Sequence, residues 1–323
     1  MQLGGDHEAI LPAGAARCTP GRVLEGGLGF GRAEGVIVRA EDIRAVGVVG
    51  SGLMGSGIVE VCARAGCDVT YVEPTDELVT AGRGRIERSV SKAVERGKLD
   101  ADEAEGTLGR ISGSTDLGAL AGSDLVIEAA TEDLEAKLGV FRKLDGITRP
   151  EVVLASNTSS LPIVELATAT SRPDRVIGMH FFNPPPVMKL LELIPAITTS
   201  EETLSFAKAF GERVGKTTVV SKDHAGFIVN RMLCPFLNDA ARLYDEGLAT
   251  REDIDAAMSL GLGHPMGPLT LMDLIGIDTV VHVADVLYRE YGDARYMTPQ
   301  VLRRMVAAGR LGRKSGRGFY EYD

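Results

Sequence analysis

The chain of 323 residues lacks several features that mark particular protein classes. No apolar run approaches the roughly 18 residues of a membrane-spanning helix. The net charge is −10 and no block of like charge is present, which argues against nucleic acid or an anionic membrane surface as a partner. The four cysteines include no C-x-x-C pair, and the five histidines show no spacing typical of metal ligands. We therefore expect free buried thiols in a reducing cytoplasm and no bound metal.

The first 43 residues lack a sustained helical or strand period and are rich in glycine. They also lack a basic n-region, because Asp6 and Glu8 occupy that position, and no apolar h-region follows. Acidic residues outnumber arginines here, which disfavours a transit peptide. We therefore predict a poorly ordered extension over residues 1–43. The length of the rest suggests two domains, which we place at 44–221 and 222–323.

A glycine-rich turn follows the first apolar run, within the sequence VGVVGSGLMGSG of residues 46–57. Gly50, Gly52 and Gly55 have the G-x-G-x-x-G spacing between a predicted strand and a predicted helix. The first glycine permits a tight turn, the second lets a pyrophosphate approach, and the third lets the helix lie close to the strand. The helix N-terminus would offer free N–H groups to the phosphates. The sequence therefore predicts a dinucleotide-binding site.

An acidic residue, Glu73, ends the second predicted strand and stands 18 residues after Gly55. A carboxylate at this place accepts a hydrogen bond from the ribose 2′-OH and repels a 2′-phosphate. We therefore expect NAD rather than NADP as the cofactor.

Strands alternate with helices over residues 44–221. The predicted strands lie at 45–49, 68–72, 111–114, 125–128, 152–155, 176–179, 190–194 and 217–220, and the predicted helices at 76–96, 100–108, 134–144 and 201–213. This alternation predicts an α/β fold with a Rossmann-type doubly wound, largely parallel sheet. Ligands of such sheets bind beyond the carboxyl ends of the strands. We therefore expect the glycine loop, the serine-rich turn 156–160 and His180 to converge.

Helical periods dominate the remainder of the chain. Helices are predicted at 227–246, 251–260, 268–275, 277–290 and 299–308, with ends at Gly247, Gly261, Gly276 and Gly292. This pattern predicts an all-α C-terminal domain. Its first helix is apolar on more than one side, which suits burial against another subunit as well as against its own domain.

The predicted helix 76–96 carries a row of cations opposite its apolar face, namely Arg83, Arg85, Arg88, Lys92 and Arg96. One interpretation is a solvated face. The other is that some of these cations meet the phosphates of a large anionic substrate. The sequence leaves both interpretations open.

A histidine and a carboxylate flank a proline-rich segment. His180 ends a predicted strand, and Glu192 lies twelve residues later within the apolar run LLELI. A lone carboxylate in an apolar strand is costly unless it is paired. An imidazole is a suitable partner, because the carboxylate fixes its tautomer and stabilises the imidazolium during proton transfer. A strand, a loop and a return strand would bring the two residues together, and a dehydrogenase of an alcohol needs such a base.

Several long motifs now carry a family resemblance over residues 44–323. They are VGVVGSGLMGSGI, ASNTSS, GMHFFNPPPVMKLLELI, GFIVNR, GHPMGPLTLMDLIGID and GRKSGRGFYEY. In this order they resemble the L-3-hydroxyacyl-CoA dehydrogenase family, and within it the stand-alone bacterial 3-hydroxybutyryl-CoA dehydrogenases. The resemblance implies NAD-dependent oxidation of an (S)-3-hydroxyacyl-CoA and a homodimer built through the helical domain.

The resemblance also implies roles for individual residues. His180 corresponds to the catalytic base and Glu192 to its paired acid. Ser159 and Asn230 match residues that contact the substrate oxygen, which places the active site in a cleft between the domains, and Asn183 matches a further substrate-binding residue. The implied cofactor contacts are the glycine loop with Leu53 and Met54, together with Glu73, Glu132, Lys137, Asn157 and Lys314.

Three departures from the family pattern are present. Pro185 replaces a usual valine, Ala225 replaces a usual proline after His224, and the N-terminal extension is additional. None of them alters the His180–Glu192 pair, although His224 becomes a second, weaker histidine candidate.

Two other functions stay open at this point. One is a dehydrogenase of a free hydroxy acid on the same scaffold, and the other is a non-enzymatic NAD-binding or structural relative.

Overall fold

A computed structural model describes residues 39–322 of the chain. Within these residues, eight strands form one sheet and eleven α-helices accompany them. The elements up to the end of the sheet are β1 (Ala45–Val49), α1 (Leu53–Arg64), β2 (Asp68–Val72), α2 (Asp76–Glu95), α3 (Ala101–Gly109), β3 (Ile111–Ser114), β4 (Leu125–Glu128), α4 (Leu134–Ile147), β5 (Val153–Ser156), α5 (Ile163–Thr168), β6 (Val176–Phe181), β7 (Leu190–Pro195), α6 (Glu201–Arg213) and β8 (Thr217–Val220). The later elements are α7 (Val229–Asp245), α8 (Arg251–Leu262), α9 (Pro268–Ile275), α10 (Ile277–Tyr291) and α11 (Gln300–Ala307).

The strand order is β3-β2-β1-β4-β5-β6-β7-β8. Strands β1 to β6 are parallel, β7 runs antiparallel to β6, and β8 is parallel to β7. The chain starts at β1, proceeds outward to β3 and then crosses to β4 on the other side of β1. This reversal is the topological switch point at which doubly wound sheets bind ligands. The predicted fold class is confirmed.

Hydrophobic cores cover both faces of the sheet, because alternate residues of a strand point to opposite faces. Val48 and Ile127 pack in one core with Ile58 of α1 and Phe210 of α6. Their neighbours Val49 and Val126 pack in the other core, with residues of α4 and α5. Burial on both faces explains why β1, β4 and β5 are apolar runs rather than alternating ones.

The helical region has a core of its own, built from residues of α7 to α11 such as Leu237, Met272 and Leu302. Two buried carboxylates add to it. Asp273 accepts hydrogen bonds from the amides of Phe319 and Tyr320, both at 2.9 Å, and thereby fixes the C-terminal tail. Asp255 accepts from two amides at the first turn of α9, where a negative charge is favoured by the helix dipole.

The predicted elements agree with the structure within a few residues at their ends, with two exceptions. The prediction that Gly261 ends its helix is wrong, because α8 continues to Leu262 and the left-handed residue is Gly263, with φ of 68°. Helix α5 was not predicted, since six residues are too few to show a helical period. Its first amides are held from outside by Asp223, which accepts from Ile163 and Val164 at 2.9 and 2.8 Å.

The N-terminal prediction falls mostly on residues 1–38, which lie outside the described residues. The last part of the predicted extension is described and is packed: Ala40–Asp42 form a 3-10 turn, and Ile43 is fully buried. Arg213 donates to the carbonyl oxygens of Ala40 and Ile43 at 2.7 and 2.8 Å. The chain thus joins the fold a few residues before β1.

Residues 39–322 hold neither a membrane-spanning helix nor a group of metal ligands, and their cysteines are free. No helix in this part is long and apolar enough to cross a membrane, and no group of three or more potential metal ligands occurs there. The cysteines in the same range, Cys62, Cys67 and Cys234, are free and buried as predicted, while Cys18 lies outside the described residues.

Candidate active site

The glycine loop follows β1 at the switch point, and its three glycines meet three different surroundings. Gly50 has φ of 91°, and a Cβ there would lie 2.7 Å from the carbonyl oxygen of Ala129. A Cβ at Gly55 would collide with the carbonyl oxygen of Gly50. A Cβ at Gly52 would face open space. The first and third glycines are therefore required by the fold, whereas Gly52 borders free volume beside the N-terminus of α1.

Glu73, at the end of β2, contacts the glycine loop directly. Its Oε1 accepts hydrogen bonds from the Ser51 amide and, at 2.8 Å, from the Ser51 hydroxyl. Arg85 of α2 donates to the Ser51 carbonyl oxygen at 3.2 Å. Within the described part of the chain, Glu73 Oε2 makes no hydrogen bond. Sequence reasoning missed Ser51, although a hydroxyl between two glycines of the loop was a visible signal.

A buried ion pair between Glu128, the last residue of β4, and Lys137 of α4 lies at the end of this strand. Glu128 Oε1 accepts from Lys137 Nζ at 2.6 Å and from the Ala130 amide at 2.7 Å, and Glu128 Oε2 accepts from the Ser156 hydroxyl at 2.7 Å. Glu128 and Lys137 are almost fully buried. Lys137 was predicted, and Glu128 was not, because its partners come from β5 and α4. The pair fixes the loop between β4 and α4.

Glu132 accepts several hydrogen bonds from the serine-rich turn that follows β5. It accepts hydrogen bonds from the Thr158 hydroxyl at 2.6 Å, the Ser159 amide at 2.9 Å and the Ser160 hydroxyl at 3.1 Å. Lys137 Nζ is 3.5 Å away. Burial acts to raise the pKa of Glu132, but the attraction of Lys137 and these hydrogen bonds outweigh it, so that the pKa is lowered. Glu132 is therefore a carboxylate, and it sets the position of Ser159.

His180 and Glu192 form the predicted pair. They are opposite each other in the antiparallel β6–β7 register, and His180 Nδ1 lies 2.7 Å from Glu192 Oε2. Glu192 is fully buried and His180 is 7% exposed. The imidazole packs against Phe182 and Phe227, with ring centroids 4.6 and 5.5 Å away. No polar group of the described residues contacts His180 Nε2, so this nitrogen remains available to a substrate.

Glu192 also reaches the helical region. Its Oε1 accepts hydrogen bonds from the amides of Ile228 and Val229, at 3.1 and 3.0 Å, where α7 begins. Asn230 is the next residue and is half-buried. The first turn of α7 thus stabilises the Glu192 carboxylate with two amides and the positive end of its dipole. A histidine whose Nδ1 faces such a carboxylate is arranged to accept a proton at Nε2.

Known proteins match this chain over nearly its whole described length. Residues 45–224 match the family model described as 3-hydroxyacyl-CoA dehydrogenase, NAD binding domain, and residues 226–322 match the C-terminal domain of the same description. A 3-hydroxybutyryl-CoA dehydrogenase of Mycobacterium tuberculosis is 49% identical over 285 residues, which cover 88% of this chain and 100% of that protein. The chain belongs to the 3-hydroxyacyl-CoA dehydrogenase family. The predicted resemblance is confirmed, and with it an NAD-dependent oxidoreductase.

Solved structures of similar proteins support the same family assignment. The crystal structure of M. tuberculosis FadB2 superposes with a TM-score of 0.85 at 49% identity, covering 87% of this chain and 99% of that chain. The (S)-3-hydroxybutyryl-CoA dehydrogenase PaaH1 of Ralstonia eutropha superposes with a TM-score of 0.82 at 47% identity, over 87% and 99%. The cofactor of this family fits the residues present, because Gly52 borders open space, α1 offers its N-terminus, and Glu73 Oε2 is free.

The remaining predicted residues make no hydrogen bond, ion pair or ring contact with His180 or Glu192 within residues 39–322. Asn157 Oδ1 accepts from the Phe181 amide at 2.9 Å and so joins the ends of β5 and β6. Leu53 is exposed at the start of α1, and Met54 packs partly on the core. Asn183 is exposed just after β6. The contacts of Lys314 lie within the helical region, where its Nζ is 2.7 Å from Asp278 Oδ2.

The row of cations on α2 divides into two groups. Arg83 pairs with Glu87 and donates to the carbonyl oxygens of Leu108 and Ile111, and Arg85 donates to Ser51. Arg88 and Lys92 on the same helix and Arg96 at its C-cap are exposed and make no ion pair or hydrogen bond through their side chains within residues 39–322. The first group serves the fold, and the second is free to meet an anion.

The second histidine candidate, His224, is exposed, and its imidazole contacts neither His180 nor Glu192.

Proposed function

We propose that this protein oxidises (S)-3-hydroxyacyl-CoA to 3-ketoacyl-CoA with NAD⁺ and reduces acetoacetyl-CoA in the reverse direction, with 3-hydroxybutyryl-CoA as the preferred substrate. The observation that carries this proposal is the buried His180–Glu192 pair, in which Nδ1 is paired and Nε2 makes no hydrogen bond to residues 39–322. The names of the M. tuberculosis and R. eutropha relatives support the C4 substrate.

The roles of the chain's own residues follow from their contacts. His180 Nε2 takes the proton of the C3 hydroxyl, while Glu192 holds Nδ1–H and stabilises the imidazolium. Ser159, fixed by Glu132, and Asn230, at the start of α7, hold the oxygen on which charge develops. The bound NAD⁺ supplies the hydride acceptor. Asn183 completes the substrate side from the loop after β6.

Further residues hold the cofactor in this proposal. The loop from Gly50 to Gly55, including Leu53 and Met54, presents the amides of α1 to the pyrophosphate. Glu73 binds the adenosine ribose through its free oxygen. Glu132, Lys137 and Asn157 form the wall next to the nicotinamide. Glu132 and Asn157 follow β4 and β5, Glu132 binds the Ser159 amide, and Lys137 of α4 extends its Nζ toward Glu132. Lys314 approaches the cofactor from the C-terminal tail.

The CoA end of the substrate is a phosphate-bearing anion. We assign its phosphates to Arg88, Lys92 and Arg96, since these cations of α2 have no protein partners among the described residues. Cations on a helix that also contacts the glycine loop suit a substrate whose acyl end must reach His180.

The assembly and location in this proposal are a homodimer in the cytoplasm. The dimer is supported by exposed apolar side chains on the helical region, of which Met232, Leu260 and Leu262 are 72%, 86% and 65% exposed. Sedimentation equilibrium checks it, and a monomer at micromolar concentration would contradict it. The cytoplasm is supported by the free thiols Cys62, Cys67 and Cys234.

The decisive experiment is a steady-state panel of 3-ketoacyl-CoAs of four, six, eight and more carbons, with the free 3-keto acids as controls and NADH as the reductant. Acetoacetyl-CoA should give the highest kcat/KM. Turnover of the free acids alone would establish the hydroxy-acid alternative. Binding of NADH without turnover of any substrate would establish the non-enzymatic alternative.

A further inference from the structure

The turn that leads into α7 has an unusual backbone. Gly226 and Phe227 are consecutive and have φ of 76° and 47°. Phe227 is the single residue other than glycine with positive φ between residues 39 and 322. This left-handed conformation is unfavourable for any residue with a Cβ, and a bulky residue keeps it only where its surroundings require it.

Contacts on both sides hold this turn in place. The Phe227 amide donates to the His224 carbonyl oxygen at 2.9 Å, and the Arg231 amide donates to the Gly226 carbonyl oxygen at 3.0 Å. A Cβ at Gly226 would lie 2.7 Å from Leu287 of α10. The Tyr291 hydroxyl, also on α10, donates to the Ala225 carbonyl oxygen at 2.9 Å. Contacts with α10, in addition to the hydrogen bonds within the turn, therefore fix the turn to the helical region.

The left-handed residue contacts one member of the catalytic pair and directs two amides to the other. Its ring is buried, and its centroid lies 5.5 Å from that of the His180 imidazole in an edge-to-face arrangement. The next two amides, of Ile228 and Val229, donate to Glu192 Oε1. Because Glu192 uses its other oxygen on His180, these amides determine the rotation of the whole carboxylate.

We propose that Phe227 is a positioning residue for hydride transfer. Its backbone turns the first amides of α7 onto Glu192, and its ring sets the plane of the imidazole, so that Nε2 is aimed at the substrate hydroxyl. Such orientation matters, because a displacement of about 1 Å in a reacting group can lower a rate by roughly a hundredfold. This inference rests on the proposed role of His180 as the base.

The test compares Phe227→Leu with the matched control Phe206→Leu. Phe206 lies on α6, is also buried in the core of the sheet, and has its ring contact with Phe210 instead of His180. We expect Phe227→Leu to lower kcat for acetoacetyl-CoA by about tenfold or more, since general base catalysis contributes roughly 10²–10⁴-fold. The primary deuterium isotope effect on kcat with 4-deuterated NADH should rise, while the Kd of NADH stays within about twofold, because the cofactor contacts are untouched. Phe206→Leu should lose thermal stability without a change in the isotope effect.

A second comparison separates backbone from ring. Phe227→Gly and Phe227→Ala lose the same ring, but glycine adopts positive φ freely, so the glycine variant should unfold at the higher temperature. Both should have a low kcat. Wild-type kcat and isotope effect in Phe227→Leu would overturn the inference while leaving the proposed function intact, provided that His180→Gln is inactive. Full activity of His180→Gln would instead remove the proposed function itself.

Discussion

His180 and Glu192 are direct cross-strand partners at the end of the one antiparallel connection inside the sheet, with Nδ1 and Oε2 2.7 Å apart. Both side chains stand on regular strands, so their contact does not depend on the conformation of the loop that joins β6 to β7. The carboxylate is further held by two amides of α7. The imidazole proposed as the base is thus held through Glu192 by both the sheet and α7.

Removal of the base should abolish most of the activity. We expect His180→Gln to lower kcat for acetoacetyl-CoA reduction by roughly 10²–10⁴-fold with little change in the affinity for NADH. Glu192→Gln should lose somewhat less, because it retains a partner for Nδ1 but not the charge. His224→Gln is the matched control, because His224 is an exposed histidine just before the turn that leads into α7. A greater loss in His224→Gln than in His180→Gln would reverse the assignment of the base.

Local patterns were sufficient to predict the glycine loop and the contact between His180 and Glu192. The motif that places Gly50 and Gly55 spans only a few residues, so it is visible in the sequence. Glu192, a carboxylate within the apolar run LLELI, required a partner. The antiparallel return of β7 then gave the one arrangement in which His180 and Glu192 meet.

Other parts of the site depend on contacts between distant segments and were not predictable from spacing. Ser51 meets Glu73 because β1 and β2 are neighbours, and Glu128 meets Lys137 only once α4 folds back. The amides that hold Glu192 come from 36 and 37 residues later in the chain. Each of these depends on how elements pack, which no local period encodes.

Glu73 should determine the choice between NADH and NADPH. We expect Glu73→Gln to lower kcat/KM for NADH and raise it for NADPH, because a neutral side chain no longer repels the 2′-phosphate. Ser51→Ala should shift the same ratio by a smaller amount, since it removes one of two hydrogen bonds to Glu73 Oε1. The exposed Glu77 lies on the first turn of α2, so Glu77→Gln serves as the charge control. An unchanged ratio in Glu73→Gln would exclude Glu73 as the ribose ligand.

The buried pair of Glu128 and Lys137 should contribute mainly to stability and to the shape of the cofactor site. Lys137→Met leaves Glu128 as an unpaired buried charge, which typically costs about 3–5 kcal/mol of unfolding free energy. Urea denaturation measures this loss. Lys143→Met, on the exposed side of the same helix, should change stability by less than about 0.5 kcal/mol. Equal stability of the two variants would show that Glu128 finds another partner.

The exposed cations of α2 should contact the CoA part of the substrate and not its acyl group. We expect Arg88→Gln combined with Lys92→Gln to raise KM for acetoacetyl-CoA severalfold with kcat nearly unchanged, because phosphate contacts are alike in the ground and transition states. The KM for the acetoacetyl thioester of pantetheine, which lacks the nucleotide phosphates, should not respond. Arg142→Gln on α4 is the exposed control. Equal effects on both substrates would place these cations on the acyl side.

Glu132 gives a dependence of stability on pH with a defined sign. Its pKa in the folded protein is lowered from an ordinary value of 4.5 by Lys137 and by the hydroxyls and amide of the serine-rich turn, which together outweigh burial. A lowered folded-state pKa means that its stabilisation is complete above pH 4.5 and is lost as the pH falls through the folded value.

Thermal unfolding of Glu132→Gln against the wild type checks this sign. The wild type should be the more stable protein at neutral pH, and the difference should shrink as the pH is lowered below 4.5. Glu135→Gln, an exposed carboxylate on the first turn of α4, should show a much smaller difference at any pH. A difference that grows on acidification would mean that Glu132 binds its proton more readily in the folded state, and its contacts with Lys137 and the serine-rich turn would then not be those of a carboxylate.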